Sequence, residues 1–302
     1  MLKLDKEELE KLQAKYRLTP EEYKEYFNAV NLSFTTGKKS TSNPKLVFVA
    51  GQAGAGKSKL IPIVYEELGY NAVVSDYDKV RSMHPRFEQA SKECQNVHLA
   101  LLPDADRANE DLRHYCRDQG LNLIYEGTMR GTKVFLEIAE EFKAAGYEID
   151  LSLMSVPKLE SYGSTLLRYA TDLIQNNIPR WVPKEVHDES YEKFIVTLGE
   201  LQKRGLYDKA EVYRRGRQAQ IGKPVRIYST ERGEFADPIE AVEYGRSKYR
   251  LEAVLDYPTK FAMVEQIFEE KSPELIEKLK DWKELYRQEK DRILEERKSD
   301  FR

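Results

Sequence analysis

The sequence predicts an α/β protein with a mainly parallel central sheet flanked by helices, and with helical segments at both ends of the chain. Two observations support this fold class. Short apolar runs alternate with longer segments of helical periodicity between residues 45 and 229, as in a series of strand-helix units. The first of these runs ends in a glycine-rich turn followed by Lys57 and Ser58, a pattern found between a strand and a helix. We expect about five strands, with helices on both faces of the sheet.

The composition is that of a globular chain with balanced charge. Charged residues make up 33% of the 302 residues, and the net charge is -3. A general nucleic-acid-binding protein would normally show a basic excess, so we expect no nucleic-acid partner, although a local basic patch stays open. Cys94 and Cys116 lack the spacing of a zinc site or a disulfide framework and are predicted to be free thiols in a reducing compartment.

The hydropathy pattern predicts no membrane partner. No apolar run reaches the roughly eighteen residues that a membrane-spanning helix needs, and the N-terminus is charged rather than signal-like. We therefore expect a cytoplasmic protein, with export by an unrecognised route left open.

Residues 1–44 form a predicted N-terminal helical segment. Apolar side chains recur at helical spacing between Asp5 and Tyr16. A second helix then begins at Thr19, with Thr19 as the N-cap, Pro20 at the first helical position and Glu22 completing a capping box. We expect this segment to pack on the core of the protein. An inhibitory or partner-binding role is the alternative.

The next segment, residues 45–58, has the pattern of a phosphate-binding P-loop. An apolar run is followed by glycines at a spacing that lets backbone N–H groups surround a polyphosphate, and Lys57 can then reach the β- and γ-phosphates. The Ser58 hydroxyl is suited to Mg²⁺, and the helix that follows directs its positive end at the phosphates. The alternative is a glycine-rich turn that binds nothing. The predicted nucleotide-binding residues are Gly51, Gln52, Ala53, Gly54, Ala55, Gly56, Lys57, Ser58 and Lys59.

Two carboxylates follow the second predicted strand, at residues 71–75. In open α/β sheets, ligands bind beyond the carboxyl ends of the strands, which is where Asp76 and Asp78 lie. Asp76 could hold water on a metal ion, and Asp78 could take the proton from an acceptor hydroxyl as general base. The alternative is that both residues only cap the next helix.

A third predicted strand, at residues 121–125, also ends at an acid, Glu126. P-loop proteins commonly place a carboxylate that orients metal or water at such a position. Gly127 allows close approach of a ligand, and Arg130 could clamp a phosphate of the acceptor. The preceding helix, at residues 104–119, carries Glu110, a position at which most glutamates are simply solvated.

One arginine before a loop and one within it could help this loop to close over phosphates. Arg168 lies on the long helix that Pro157 starts, after a fourth strand at residues 148–155, and Arg180 lies in the loop at residues 176–183. Each guanidinium could neutralise charge on a transferring group. The alternative is surface salt bridging. Further along the chain we expect a helix at residues 191–204 and late strands at residues 211–213 and 225–228.

Taken together, these segments resemble the zeta-toxin family of bacterial P-loop kinases over about residues 46–229. The resemblance rests on residues 51–58, on Asp76-Tyr77-Asp78 with His84-Pro85, and on residues 118–130. It continues through Gly146-Tyr147, Val156-Pro157-Lys158, Tyr162, Arg168 and Tyr169. It implies a P-loop kinase fold that uses ATP and Mg²⁺. It also implies that the 3′-hydroxyl of UDP-N-acetylglucosamine is phosphorylated, which poisons peptidoglycan synthesis, and that a small protein antitoxin restrains the enzyme.

The resemblance also implies a role for individual residues. Lys57 would bind the ATP phosphates, Asp78 would be the catalytic base, and Arg168 and Arg180 would stabilise the transferring phosphoryl group. The positions that would contact the sugar or belong to the substrate motif are Asp78, Glu110, Glu126, Thr128 and Arg130.

Some positions depart from the family pattern. Ala53 and Ala55 replace residues that are often Pro and Ser, and Ser58 stands where Thr is usual, changes that should leave phosphate binding intact. Residues 88–106 match poorly, and this is a region that could shape the acceptor pocket. Another nucleotide sugar, another small molecule or a nucleotide therefore stays open as the acceptor.

Beyond the P-loop kinase domain, predicted at residues 45–230, residues 231–302 read as a helical appendage. Helices are expected from Asp237-Pro238, Tyr257-Pro258 and Ser272-Pro273, and the last carries an apolar stripe that includes Leu279 and Trp282. The appendage could support the kinase or act as an inhibitor or docking module. A rival interpretation of the whole chain is a nucleotide-dependent partner-binding module with little catalysis.

Overall fold

The computed structural model describes residues 5–94, 97–175, 177–216, 222–248 and 254–300, with side chains to residue 292. Six strands form one sheet: β1 (Lys45–Ala50), β2 (Val73–Ser75), β3 (Leu123–Gly127), β4 (Glu148–Met154), β5 (Lys209–Arg214) and β6 (Val225–Ser229).

Helices separate most of the strands. In chain order they are α1 (Lys6–Tyr16), α2 (Pro20–Thr35), α3 (Lys57–Glu67), α4 (Tyr77–Ser82), α5 (Phe87–Glu93), α6 (Val97–Ala100), α7 (Leu102–Asp118), α8 (Thr132–Ala144), α9 (Lys158–Ile174), α10 (Lys184–Lys203), α11 (Pro238–Ser247), α12 (Tyr257–Lys271) and α13 (Lys278–Asp300). A 3₁₀ turn, Pro273–Leu275, precedes the last helix.

The sheet has the strand order β2-β3-β1-β4-β5-β6. β2 pairs with β3 in parallel, β4 pairs with β5 in parallel, and β6 closes the edge antiparallel to β5. The predicted α/β fold with a mainly parallel sheet is therefore confirmed. The expected number of about five strands was too low, because both late strands join the same sheet. The prediction of a helix from residue 191 was also too short, since α10 already begins at Lys184.

The chain divides into two compact units. The first unit contains residues 5–47, 64–126 and 142–148, and the second unit contains residues 48–63, 127–141 and 149–300. The division into residues 1–44, 45–230 and 231–302 that the sequence suggested stays a prediction.

In the first unit, the N-terminal helices are fixed by their caps and by long-range hydrogen bonds. The predicted capping box is confirmed: the Thr19 hydroxyl accepts from the Glu22 N–H (3.2 Å), and the Glu22 carboxylate accepts from the Thr19 N–H (2.8 Å). Glu22 also receives both Nη2 contacts of Arg86 (3.0 and 2.9 Å), and the Tyr26 hydroxyl donates to the carbonyl of Val80 in α4 (2.7 Å). The helix α2 is thereby bound to the segment that carries Asp78.

In the second unit, the C-terminal helices pack on α9. The buried cluster between α9, α12 and α13 includes Leu159, Tyr162, Val264, Phe268 and Trp282. The contact is tight at Gly163, where an added Cβ would lie 2.3 Å from the Trp282 ring. The predicted apolar stripe at Leu275, Leu279 and Trp282 is the face that this cluster buries. No helix within the described residues is long and apolar enough to cross a membrane.

Candidate active site

The P-loop of the second unit follows β1 and has the backbone of an anion cradle. Gly54 and Gly56 have φ values of +74° and +96°, a conformation that side chains disfavour. Gly54 also has no room for a side chain, because an added Cβ would lie 2.0 Å from the Ser161 carbonyl oxygen of α9. The predicted glycine spacing thus serves both the turn and the close packing of α9.

Lys57 and Ser58 begin the helix α3 directly after this turn. Lys57 is only 8% exposed, and its Nζ donates to the Gly51 carbonyl (2.9 Å). The amine is thus directed into the loop that would bind a phosphate. A helix N-terminus that follows a glycine turn favours anions, because its N–H groups and its dipole point at them. The arrangement can therefore hold a polyphosphate.

The oxygen donors at the P-loop suit Mg²⁺, which is bound partly by water and substrate phosphates. They do not suit a metal ion that is held by protein ligands alone. No cluster of three or more His, Cys, Asp or Glu side chains that could hold a metal occurs among the residues described. Mg²⁺ typically keeps several waters and binds one or two protein oxygens together with substrate phosphates. The exposed Ser58 hydroxyl at the start of α3 is such an oxygen.

The segment after β3 lies beside the start of the P-loop in the second unit. The Gly51 N–H donates to the Gly127 carbonyl (3.3 Å), which places Gly127 next to the loop, and Thr128 and Arg130 follow it in the chain. Between them, Met129 is fully buried with φ of +54°, an unusual conformation for a long side chain. The buried Thr197 hydroxyl of α10 donates to the Met129 carbonyl (2.7 Å) and fixes this turn.

Arg168 and Arg180 are both exposed; Arg168 lies on α9 before the predicted loop, and Arg180 lies within the loop. Asn176 of that loop lies outside the described residues. The loop is anchored by Trp181, whose ring packs edge-on against Tyr169 of α9 with centroids 5.3 Å apart. Tyr169 is next to Arg168 in the chain, and Trp181 is next to Arg180. Their contact keeps the two arginines in one region of the second unit.

Sequence reasoning missed Arg215, which contacts the P-loop directly. Its Nη2 donates to the Gly54 carbonyl, its Nε donates to the Ala55 carbonyl (3.4 Å), and Nη2 also reaches the Ser164 hydroxyl (2.9 Å). The signal that could have found it is its position immediately beyond β5, at the strand end where ligands bind in such sheets.

Gln52 serves the scaffold of the loop. It is fully buried, and its amide donates to the Val156 carbonyl after β4 (2.7 Å). Sequence reasoning placed it only among the nucleotide-binding residues.

In the first unit, Asp76 and Asp78 occupy the end of β2 and the first turn of α4. Asp76 is the N-cap, and its carboxylate accepts from the Lys79 N–H (3.0 Å). Asp78 is 54% exposed and forms an ion pair with the nearly buried Arg81 one turn on (2.5 Å). Asp76 thus caps α4, and its role in holding water on a metal ion stays a prediction, while the Asp78 carboxylate is accessible and oriented by a cation.

Glu110 lies on α7, which is adjacent to α4 in the same unit. The Tyr77 hydroxyl donates to Asp106, and Asp106 is one helical turn before Glu110 on α7. Glu110 is exposed and pairs with Arg113 at 3.6 Å. Asp78 and Glu110 are therefore carried by two helices joined at this point. Glu126 is exposed near the end of β3.

The fold and these residues define a P-loop nucleotide-binding protein with strand-end carboxylates. The family model described as Zeta toxin matches residues 30–223. Toxin zeta of Streptococcus pyogenes is 32% identical over 209 residues, which cover 68% of this chain and 70% of that protein. Toxin PezT of Streptococcus pneumoniae serotype 4 (strain ATCC BAA-334 / TIGR4) is 33% identical over 187 residues, 61% of this chain and 74% of that protein. The chain belongs to the zeta-toxin family. Membership of this family implies that the protein is a kinase.

Solved structures show the same fold. A chain from the PezAT chromosomal toxin-antitoxin system of Streptococcus pneumoniae superposes with a TM-score of 0.69 at 23% identity, covering 84% of this chain and 98% of that chain. A chain of the AvrRxo1-ORF1:-ORF2 complex with ATP gives a TM-score of 0.54 at 13% identity, covering 90% and 91%. At these identities the likeness concerns the fold alone.

Proposed function

We propose that the protein transfers the γ-phosphate of ATP to a sugar hydroxyl of a nucleotide sugar, the 3′-hydroxyl of UDP-N-acetylglucosamine, and thereby inhibits cell-wall synthesis. The observation that carries this proposal is the P-loop of a zeta-toxin family member, with two glycines at positive φ and the buried Lys57 amine directed into the loop. The loop fits the polyphosphate of a nucleoside triphosphate, and ATP is the donor in this proposal.

On the donor side, Lys57 exchanges its contact with the Gly51 carbonyl for the β- and γ-phosphates. Mg²⁺ held through Ser58, with Asp76 supporting a bound water, supplies charge neutralisation when it is present. Arg168 and Arg180 stabilise the negative charge of the transferring phosphoryl group, for which planar guanidinium groups are well suited.

On the acceptor side, Asp78 takes the proton of the attacking hydroxyl. The acceptor oxygen forms a bond to the γ-phosphorus, the bond from that phosphorus to the β-γ bridging oxygen breaks, and ADP leaves. Arg81 holds the Asp78 carboxylate in one orientation at 2.5 Å. Glu110, Glu126, Thr128 and Arg130 contact the acceptor in this scheme.

The partner proposed for this chain is a small protein antitoxin that restrains the kinase. The support is that a solved relative in fold comes from a study of a toxin-antitoxin system. A chain that phosphorylates a cell-wall precursor in the cytoplasm would need such restraint.

The test is to incubate the purified protein with Mg-ATP and UDP-N-acetylglucosamine and to look for one added phosphate by mass spectrometry. Asp78→Asn should remove the product while leaving ATP binding intact. Asp256→Asn is a matched control, because Asp256 is 53% exposed and pairs with Lys260 one turn on, as Asp78 is 54% exposed and pairs with Arg81.

The possible results of this experiment test separately the role of Asp78, the identity of the acceptor and the transfer reaction itself. Retained turnover in Asp78→Asn would remove Asp78 as the base. A product that forms only from a bacterial metabolite extract would replace the proposed acceptor with another small molecule. If neither mixture yields a phosphorylated species while ATP still binds, the transfer reaction itself is refuted.

A further inference from the structure

Arg215 joins the P-loop to the end of β5 over a long stretch of sequence. Its guanidinium donates to the carbonyls of Gly54 and Ala55, which lie 161 and 160 residues earlier in the chain. Two neighbouring carbonyls of the loop are thus held by one planar cation with several donors in a fixed geometry.

The orientation of these carbonyls decides where the loop's N–H groups point. In a trans peptide the C=O and the N–H point in opposite directions. The N–H of Ala55 closes the turn on the Gln52 carbonyl (3.0 Å), while the Gly56 N–H is directed away from Arg215 because the Ala55 carbonyl faces it. Arg215 therefore stabilises the peptide orientation in which the Ala55 N–H closes the turn and the Gly56 N–H points to the side where an anion would bind.

The same guanidinium is bound to α9. Nη2 reaches the Ser164 hydroxyl (2.9 Å), and Nη1 lies 3.7 Å from the carboxylate of Glu160, which is 5% exposed. Glu160, Ser164 and Arg168 follow one another at intervals of four residues and so share one face of the helix. Arg215 links the P-loop to the face of α9 that carries Arg168 one turn further on.

We infer that Arg215 is a positioning residue that holds the P-loop in its phosphate-binding conformation and sets the position of α9 relative to it. The inference deepens the proposed function and rests on it, because it assumes that the P-loop binds a nucleoside triphosphate. Arg215 acts on the phosphate cradle through the backbone of the loop.

The experiment measures the affinity of the full-length protein for Mg-ATP and for inorganic tripolyphosphate by calorimetry. Arg215→Met should weaken the binding of both ligands by about tenfold or more and by the same factor, since hydrogen bonds from a charged group are lost at the cradle. Arg215→Lys, which keeps the charge beside Glu160 but has a single head group, should show a smaller loss and serves as the test if Arg215→Met does not fold.

Arg204→Met is the matched control. It also removes one guanidinium, but Arg204 is the C-cap of α10 and pairs with Glu140 (3.0 Å), about 21 Å along the helix from Ser190, which contacts the loop. Its affinities for both ligands should equal those of the wild type.

The result that overturns the inference is unchanged affinity in Arg215→Met, or a loss for ATP without a loss for tripolyphosphate, which would place Arg215 at the nucleoside instead. If the wild-type chain binds neither ligand, the proposed function fails and takes the inference with it. A wild type that binds both, with variants that bind equally well, refutes the inference alone.

Discussion

Replacing Gly54 with alanine tests whether the P-loop is fixed by α9 as well as by its own turn. The new Cβ would lie 2.0 Å from the Ser161 carbonyl oxygen, whereas ordinary contact begins at 3.4 Å, so the loop or α9 has to withdraw by about 1.4 Å. The added side chain must also adopt φ of +74°. Both effects act on the same few residues that present N–H groups to a phosphate.

A second glycine separates the two contributions to the loss of stability, the cost of a positive φ and the cost of the steric clash. Gly37 has φ of +78°, but an added Cβ there meets nothing within 4 Å. Gly37→Ala should therefore cost only the conformational term, about 1–2 kcal/mol. Gly54→Ala should add an overpacking term of about 1–3 kcal/mol, for a total of about 2–5 kcal/mol.

The assay is urea denaturation of both variants beside the wild type, followed by titration with Mg-ATP. Gly54→Ala should unfold at clearly lower urea than Gly37→Ala and should bind ATP at least tenfold more weakly, while Gly37→Ala keeps the wild-type affinity. Equal losses of stability in the two variants, with ATP binding retained in both, would refute the packing of α9 against the loop.

Three further perturbations test other contacts. Gly163→Ala should lower the free energy of unfolding by about 1–3 kcal/mol because its Cβ would meet the Trp282 ring at 2.3 Å, and the same substitution made in a Trp282→Leu background should cost less, as measured by urea denaturation. Thr197→Val should cost about 1–3 kcal/mol because the buried Met129 carbonyl loses its donor, while Thr197→Ser stays near the wild type. The hydrogen bond from Lys15, with those from Gln89 and Tyr16, lowers the pKa of Glu93 from 4.5 to about 2, so its contribution to stability is present above pH 4.5 and is lost as the pH falls towards 2. Glu93→Gln should flatten the pH dependence of the urea midpoint in that window, and an unchanged slope would contradict the assignment.

Much of the fold follows from local chemistry that the sequence displays. The capping box at Thr19 and Glu22 and the glycine spacing of the P-loop depend on residues only a few positions apart, so they could be predicted. The apolar runs in the sequence predicted the parallel strands. The apolar stripe of the last helix predicted a buried face, but the sequence did not show that this face packs on α9.

The rest depends on contacts between distant residues. Arg215 is 161 positions from Gly54, and nothing local marks it except its place beyond a strand. The positive φ of Met129 could not be predicted either, since the residue type disfavours that conformation and a hydroxyl 68 positions away stabilises it. Asp76 and Asp78 could be predicted as a pair of strand-end acids, but only the structure distinguishes the cap from the ion-paired carboxylate.

The most direct test of the central claim is a phosphorus-proton correlation NMR spectrum of the product formed from Mg-ATP and UDP-N-acetylglucosamine. We predict one new phosphate resonance that correlates with the proton on carbon 3 of the sugar, formed together with an equal amount of ADP and absent with Asp78→Asn. ADP accompanied only by inorganic phosphate, with no new organic phosphate, would contradict the assignment of this protein as a sugar-hydroxyl kinase.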